Sequence, residues 1–316
     1  MPDAPNWLEL EGGANARDVG GIPAQDGRQI RFRALIRSAN LQHLTEADIR
    51  QLVTDVGVRT IVDLRTDVEV DAEGPGPMTR QPDVTIHHLS LFPDTSEVAD
   101  DVSVNDVSGD GVSADEAAGD GVSADEASGD GVSADEASGD GVSADEASVN
   151  EVSGDEGSTS RLLPWHDRDR PPIVTGEPVA DLYLTYLERR PDSVVAALRA
   201  IAEPDGAALV HCAAGKDRTG VVVAIALTLV GAERSAVVAD YAATEQQIAA
   251  IMTLLGRTAT YQREVADPAS VPPPTAAVMT AVLDALTGRT GGIEGWLASH
   301  GWTAADTQRL RAKLLS

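Results

Sequence analysis

The sequence predicts an α/β fold with a mainly parallel central sheet flanked by helices. Three observations predict it. Short apolar runs suited to buried strands recur at 31–38 (RFRALIRS), 58–64 (VRTIVDL), 84–91 (VTIHHLSL) and 207–212 (AALVHC). Helical patterns lie between and after these runs, and strands alternating with helices imply a sheet covered on both faces. Hydrophobic residues make up 42% of the chain, enough for such a core, while aromatics at 3% leave its filling to aliphatic side chains.

The helices follow from their ends. TEADIRQLVTDVG (45–57) opens on a Thr cap and closes at Gly57. PDSVVAALRAIAE (191–203) starts with Pro and Asp, residues that suit a first turn. Further helices are expected near 217–230, 233–253, 274–287 and 303–315. The longest apolar run, Val221 to Val230, is well short of the roughly 20 residues that span a bilayer, so it reads as a buried helix and no stable membrane insertion is expected. MPDAPNWLELEGG at the N-terminus has neither a basic region nor an apolar stretch. The expected location is cytoplasmic, or secreted without a visible signal peptide.

One stretch stands apart. GDGVSADEAA at 109–118 is followed by three copies of GDGVSADEAS at 119–148. From 94 to 160 the chain holds 20 acidic residues and no Lys or Arg. Low hydrophobicity and high like charge predict a disordered acidic insert, and the spacing matches neither a calcium β-roll nor an EF-hand. The insert divides one domain into a first part, 1–93, and a second part, 161–316. It accounts for most of the net charge of −27, leaving −7 on the other 249 residues. That balance excludes nucleic acid as a general partner, because phosphate backbones require positive neutralisation.

The chain holds a single cysteine and two lysines against 22 arginines. The one cysteine excludes an intramolecular disulfide and fits a reducing compartment. Yet Cys212 and Lys216 fall within one short stretch, ALVHCAAGKDRTGVVVAIALTLV (208–230). A buried strand ends at His211-Cys212, a tight loop follows through Ala213, Ala214, Gly215, Lys216, Asp217 and Arg218, and a helix begins near Thr219. Such a junction points backbone N–H groups and a helix dipole at whatever the loop holds, which suits a phosphate dianion. Arg218 offers a planar fork for two phosphate oxygens. The same field favours the thiolate form of Cys212, placed for in-line attack at phosphorus. The product is a phosphocysteine, later hydrolysed by water, with the Thr219 hydroxyl stabilising the departing thiolate. His211 orders the loop from behind. No cofactor and no metal are required.

The full string H-C-x-x-G-K-D-R-T-G resembles the signature loop of the cysteine-dependent protein-tyrosine phosphatase superfamily. NARDVGG (15–21) resembles the N-F-R-D-L-G-G opening of its atypical bacterial tyrosine/lipid phosphatase family, with Ala16 in place of the aromatic. LIRSANL (35–41), DLRTDVE (63–69) and GGIEGWLASHGWTAADTQRLRAKLL (291–315) match further landmarks. The resemblance implies a protein-tyrosine-phosphatase-like fold over nearly the whole chain except the insert. It implies a phosphatase acting on phosphotyrosine in proteins, with a phosphoinositide as the alternative substrate, which Lys216 supports and the acidic body weakens. Two aspartates compete for the general acid: Asp217, within the loop, and Asp94, which follows a predicted strand and aligns with an Asp of the family. Proximity favours Asp217. Asp63, Arg65, Arg17 and Asp18 are expected to brace the loop rather than do chemistry. The insert is either an electrostatic gate over the pocket or a neutral spacer. A phospho-binding protein without turnover is the alternative from another class, and the intact Cys212, Arg218 and Thr219 argue against it. The sequence leaves the oligomeric state open.

Overall fold

Strands β1 (Asn6–Trp7), β2 (Arg17–Asp18), β3 (Leu35–Ser38), β4 (Val58–Asp63), β5 (Thr85–His88) and β6 (Ala207–His211) form one sheet in the order β1-β2-β3-β6-β4-β5. The computed structural model describes residues 4–74, 76–93 and 174–316. The acidic repeat and Asp94 lie outside the described residues, and so do both roles considered for the insert. β3, β6, β4 and β5 run parallel, and β1 and β2 add an antiparallel edge. The β6 strand, from the second part of the chain, is inserted between β3 and β4 from the first, so the two parts share one sheet.

Register sets where a site can form. Ser38 and Asp63 both pair with His211, and Asp63 pairs with His88. The parallel strands therefore end at one level, and the loop after β6 leaves the sheet between two neighbours, at the carboxyl ends where open α/β sheets place their ligands. Alternation divides the core. Leu35, Val62, Ala208 and Val210 face one side, whereas Ile36, Ile61, Ala207 and Leu209 face the other.

The first face is covered by α3 (Pro178–Arg189), α4 (Pro191–Ile201) and α5 (Asp217–Val230), which follow α1 (Glu46–Arg50) and α2 (Asp67–Glu73) in the chain. The second face is covered by α1 and its continuation. α5 is apolar all round because it is buried all round, with Val221, Val222, Val223, Ile225 and Leu227 inaccessible to solvent. Each such aliphatic contributes about 1.5–3 kcal/mol on burial. α6 (Arg234–Ala243), α7 (Ile248–Leu255), α8 (Gln262–Ala266), α9 (Ala276–Thr287), α10 (Gly292–Ser299) and α11 (Ala304–Leu314) complete the described chain.

Two predicted helices differ in detail. The span 45–57 starts as α1 behind a Thr45–Asp48 capping box, widens to a π-type turn over Gln51–Val56, and ends on left-handed Gly57. The span 233–253 is not one helix: α6 stops, a 3₁₀ turn covers Thr244–Gln247, and α7 follows. The cause is Arg17, whose Nη2 donates to the main-chain oxygen of Asp240 at 2.7 Å. An α-helix would give that acceptor to the Thr244 amide, which bonds to the Tyr241 oxygen instead.

Lys313 is one of the two lysines in the chain, and it is buried. From α11 its Nζ donates to the main-chain oxygens of Glu203 and Gly206, each at 2.5 Å, gathering the turn that leads into β6. Lys313→Met leaves those carbonyls short of a donor. The expected result is a loss of about 1–3 kcal/mol in urea unfolding, with the slope unchanged.

Candidate active site

The loop Cys212–Lys216 takes its shape from what grips its carbonyls. The Ala213 oxygen accepts from the Asn40 amide at 2.9 Å. Asn15 Nδ2 donates to the oxygens of Ala214 and Gly215, both at 3.0 Å, and Arg37 Nη2 reaches the Gly215 oxygen at 2.9 Å. In a planar trans peptide the N–H points opposite the C=O. Pinning three successive carbonyls toward the sheet therefore turns the amides of Ala214, Gly215 and Lys216 the other way, as an anion cradle. Gly215 permits the close approach: its φ is +63°, and a Cβ there would lie 2.2 Å from the Ser38 oxygen.

The pinning groups are themselves held by one carboxylate. Asp240, on α6, accepts Arg17 Nε at 2.8 Å on one oxygen and Arg37 Nη1 at 2.6 Å on the other. Arg17 also donates to the Asn15 side chain and to the Thr244 hydroxyl. Asn15 is a non-glycine residue at φ +55°, a conformation that Asn tolerates. Burial, together with the neighbouring charge of Arg37, pushes Arg17 down to about 10 despite Asp240, so it remains a cation at neutral pH. Asp18 is placed differently: its carboxylate accepts the amides of Gly20 and Arg33 and shapes the turn beside β2.

Arg218 stands in the first turn of α5. Its Nη1 and Nη2 meet the two carboxylate oxygens of Glu69 at 2.6 and 2.9 Å, and Nη1 also donates to the Leu64 oxygen at 3.2 Å. A guanidinium has five N–H groups. These bonds occupy both on Nη1 and one on Nη2, leaving Nε–H and the second Nη2 hydrogen along one edge. Nε and the neighbouring Thr219 hydroxyl have no partner among the described residues. The remaining edge is a two-pronged donor for an oxyanion.

Glu69 is fully buried, and its place follows from the capping box at the start of α2, where Thr66 and Glu69 bond reciprocally. Burial alone would raise its carboxyl, but Arg218, the Thr66 amide and the Tyr261 hydroxyl outweigh that and hold it below its ordinary range. Burial likewise works against charge on Arg218, and Glu69 overcomes it.

His211 and Asp63 close the floor. Arg65 clasps Asp63 through Nε and Nη2, at 2.6 Å for the shortest contact, and reaches Glu73 at 3.2 Å. Burial raises the Asp63 carboxyl, but the nearby His211 and Arg65 overcome this and keep it well below the usual range. The His211 imidazole, 3.7 Å from Asp63, is pushed down to about 4, chiefly by burial, and is neutral at pH 7.

Lys216 and Asp217 lie at the other rim. The Lys216 Nζ donates to the Pro272 oxygen at 2.7 Å and lies 3.5 Å from Asp217 Oδ1. Asp217 Oδ1 also accepts the Tyr183 hydroxyl, which in turn shares a 2.8 Å hydrogen bond with the Tyr241 hydroxyl. Of the two candidate acids only Asp217 falls within the described residues. Cys212, Lys216 and Arg218 are each 2% exposed. Ile251, Leu254 and Leu255 of α7, with Tyr261, pack over Ala213 and Ala214. Among the described residues no group of His, Cys, Asp and Glu could hold a metal ion, and no helix is long and apolar enough to cross a membrane.

The structure thus brings together Cys212 through Thr219, His211, Asp63, Arg65 and Arg17. It adds Asn15, Arg37, Glu69, Asp240 and four tyrosines that sequence reasoning did not single out. Asn15, Arg37 and Glu69 lie within the landmark stretches NARDVGG, LIRSANL and DLRTDVE, and Glu69 also carries the T-x-x-E capping pattern.

The sequence pattern of the tyrosine phosphatase family matches residues 8–316. A tyrosine-protein phosphatase of Nostoc commune is 34% identical over 122 residues, 37% of this chain and 42% of that protein. The triple specificity protein phosphatase PtpB of Mycobacterium tuberculosis is 27% identical over 246 residues, 74% of this chain and 67% of that protein. The chain therefore spans less than half of the first relative and about two thirds of the second.

The neutral His211 makes stability depend on pH. An unfolded imidazole takes its proton near 6.5, whereas the folded one waits until about 4. Between those values the unfolded chain binds more protons, so stability falls as pH falls. The contribution is whole above 6.5 and is lost by about 4, amounting to about 3 kcal/mol. Urea unfolding at pH 7 and pH 4.5 should show this fall, and His211→Asn should make it shallower.

Proposed function

The chain belongs to the tyrosine phosphatase family, and from that premise and the loop geometry we propose that it is a cysteine-dependent phosphatase acting on phosphotyrosine in proteins. One observation carries the reading. The carbonyls beside Cys212 are pinned away from the cradle, while Arg218 keeps a two-donor edge unspent. Amides, guanidinium and helix N-terminus together suit a phosphoryl dianion held over the Cys212 sulfur.

In the first step the Cys212 thiolate attacks phosphorus in line. The S–P bond forms, the bond to the aryl oxygen breaks, and Asp217 gives that oxygen a proton. Tyr183 and Lys216 both engage Oδ1, so the transferable proton belongs on Oδ2. In the second step water attacks the phosphocysteine, the S–P bond breaks, and Asp217 takes the proton back. The Thr219 hydroxyl donates to the departing sulfur. Glu69 plays no part in proton transfer: it fixes the plane of Arg218. Asp94 competes for the acid role on sequence grounds alone.

A second reading, a phosphoinositide phosphatase of the same mechanism, draws support from Lys216, which ends the loop beside Asp217.

The test is phosphate release from a phosphotyrosine peptide and from short-chain phosphoinositides, in EDTA, at two salt concentrations. Turnover is expected on the peptide and should vanish in Cys212→Ser. The ratio of kcat/KM values decides between protein and lipid. Asp217→Asn should lower kcat about 10²–10⁴-fold on a poor leaving group such as phenyl phosphate, and much less on a nitrophenyl ester that leaves without a proton. A loss equal on both esters would return the acid role to Asp94.

A further inference from the structure

The chain contains four tyrosines, and all four are buried around this loop. Three of their hydroxyls are bonded: Tyr183 to Asp217, Tyr241 to Tyr183, and Tyr261 to Glu69. The fourth, Tyr186, is 1% exposed, and its hydroxyl has no hydrogen-bond partner among the described residues. A buried hydroxyl left without a protein partner is costly, so a position that keeps one calls for an explanation.

Ring contacts say where that side chain lies. Tyr183 and Tyr186 sit on successive turns of α3, their rings stacked at 5.7 Å and 24°. The stacking keeps the Tyr186 ring beside that of Tyr183, whose hydroxyl ends on Asp217. On its other side Tyr186 meets the Phe92 ring edge to face at 5.3 Å. The Arg218 guanidinium carbon lies 5.6 Å from the centre of that same Phe92 ring. Tyr186 is thus bracketed between a ring tied to Asp217 and a ring tied to Arg218. The Arg218 Nε and the Thr219 hydroxyl, the other unpartnered donors of the loop, belong to the same cradle.

We infer that the Tyr186 hydroxyl donates a hydrogen bond to an oxygen of the bound phosphoryl group, as a substrate-binding residue contributed by α3. The inference rests on the phosphatase reading above. It gives the cradle a side-chain donor from outside the loop, beside the leaving-group acid. Burial, with the charge of Asp217 acting in the same sense, holds this hydroxyl well above the ordinary tyrosine range, so it stays a donor at every working pH.

The test is Tyr186→Phe in the full chain, with inorganic phosphate as the probe. Binding is measured by calorimetry and by competitive inhibition of nitrophenyl phosphate hydrolysis, and Tm is followed in parallel. Phosphate should bind about tenfold or more weakly, and kcat/KM should fall at least as much, while Tm stays the same or rises because an unbonded hydroxyl has been removed. Equal phosphate affinity in wild type and variant, with wild-type turnover intact, would overturn this inference alone. A sharp fall in Tm would also overturn it, by revealing a structural partner for the hydroxyl. Absence of phosphate binding and turnover in the wild-type chain would overturn the phosphatase reading as well.

Discussion

The loop depends on one buried carboxylate. Asp240 holds Arg17 and Arg37, and through them Asn15 and the Gly215 carbonyl, so it decides which way the loop peptides face. Two guanidiniums and one carboxylate in a dry interior are expensive to assemble, and an apolar cluster of similar volume would hold the helix at least as well. What an apolar cluster cannot do is grip carbonyl oxygens. Removing the carboxylate alone would leave two buried cations facing each other, a change of the class that costs several kcal/mol. The same arginine that shapes the loop ends α6, because it takes the acceptor the helix needs to continue. The fold and the cradle are thus set by the same few bonds.

How much of this was legible in the sequence follows from distance along the chain. The Cys212–Thr219 loop is contiguous, so its residue types, spacing and strand–helix context can be read in one pass. The parallel sheet was legible too, since β4 and β6 carry short apolar runs. β1 and β2 were not: two residues each carry no periodicity, and they are strands only because β2 pairs with β3 and β1 with β2. Glu69 lies 149 residues from Arg218 and Asp240 lies 223 from Arg17. No local pattern relates such partners, and an acidic residue on an amphipathic helix reads as solvated until the tertiary structure buries it. Asp18 shows the converse. Its neighbour Arg17 reaches the loop, whereas strand alternation turns Asp18 to the other side, onto the turn at Gly20 and Arg33.

Composition carries a second message. This chain uses arginine and aliphatic residues heavily, and its few lysines and tyrosines are all buried. Both lysines are buried and donate to main-chain carbonyls, and the compact ammonium of Lys313 meets two converging oxygens at once. Tyrosine is scarce too, and all four are gathered around the loop. A hydroxyl on a rigid apolar ring can deliver one hydrogen bond into a water-poor site without bringing a charge. In a site that already balances Arg218 with Glu69 and sets Lys216 beside Asp217, a neutral donor is the addition that leaves the balance undisturbed.

That balance bears on how the cradle can welcome a dianion while holding carboxylates. Glu69 offsets the Arg218 charge at a distance, yet it occupies the far edge of the guanidinium and leaves Nε on the near edge without a partner among the described residues. Close to the loop a bound dianion would meet N–H dipoles, whose worth rises as water is excluded. The cover of Ile251, Leu254 and Leu255 supplies that exclusion with aliphatic groups that add no competing dipole. Tyr261 belongs to the same cover, and its hydroxyl bonds to Glu69, so the group that orients Arg218 is itself completed by the segment that shuts out water. Burial and orientation therefore arise from one packing arrangement. A phosphoryl group in the closed cradle would meet donors already aimed at it, with little solvent left to screen them.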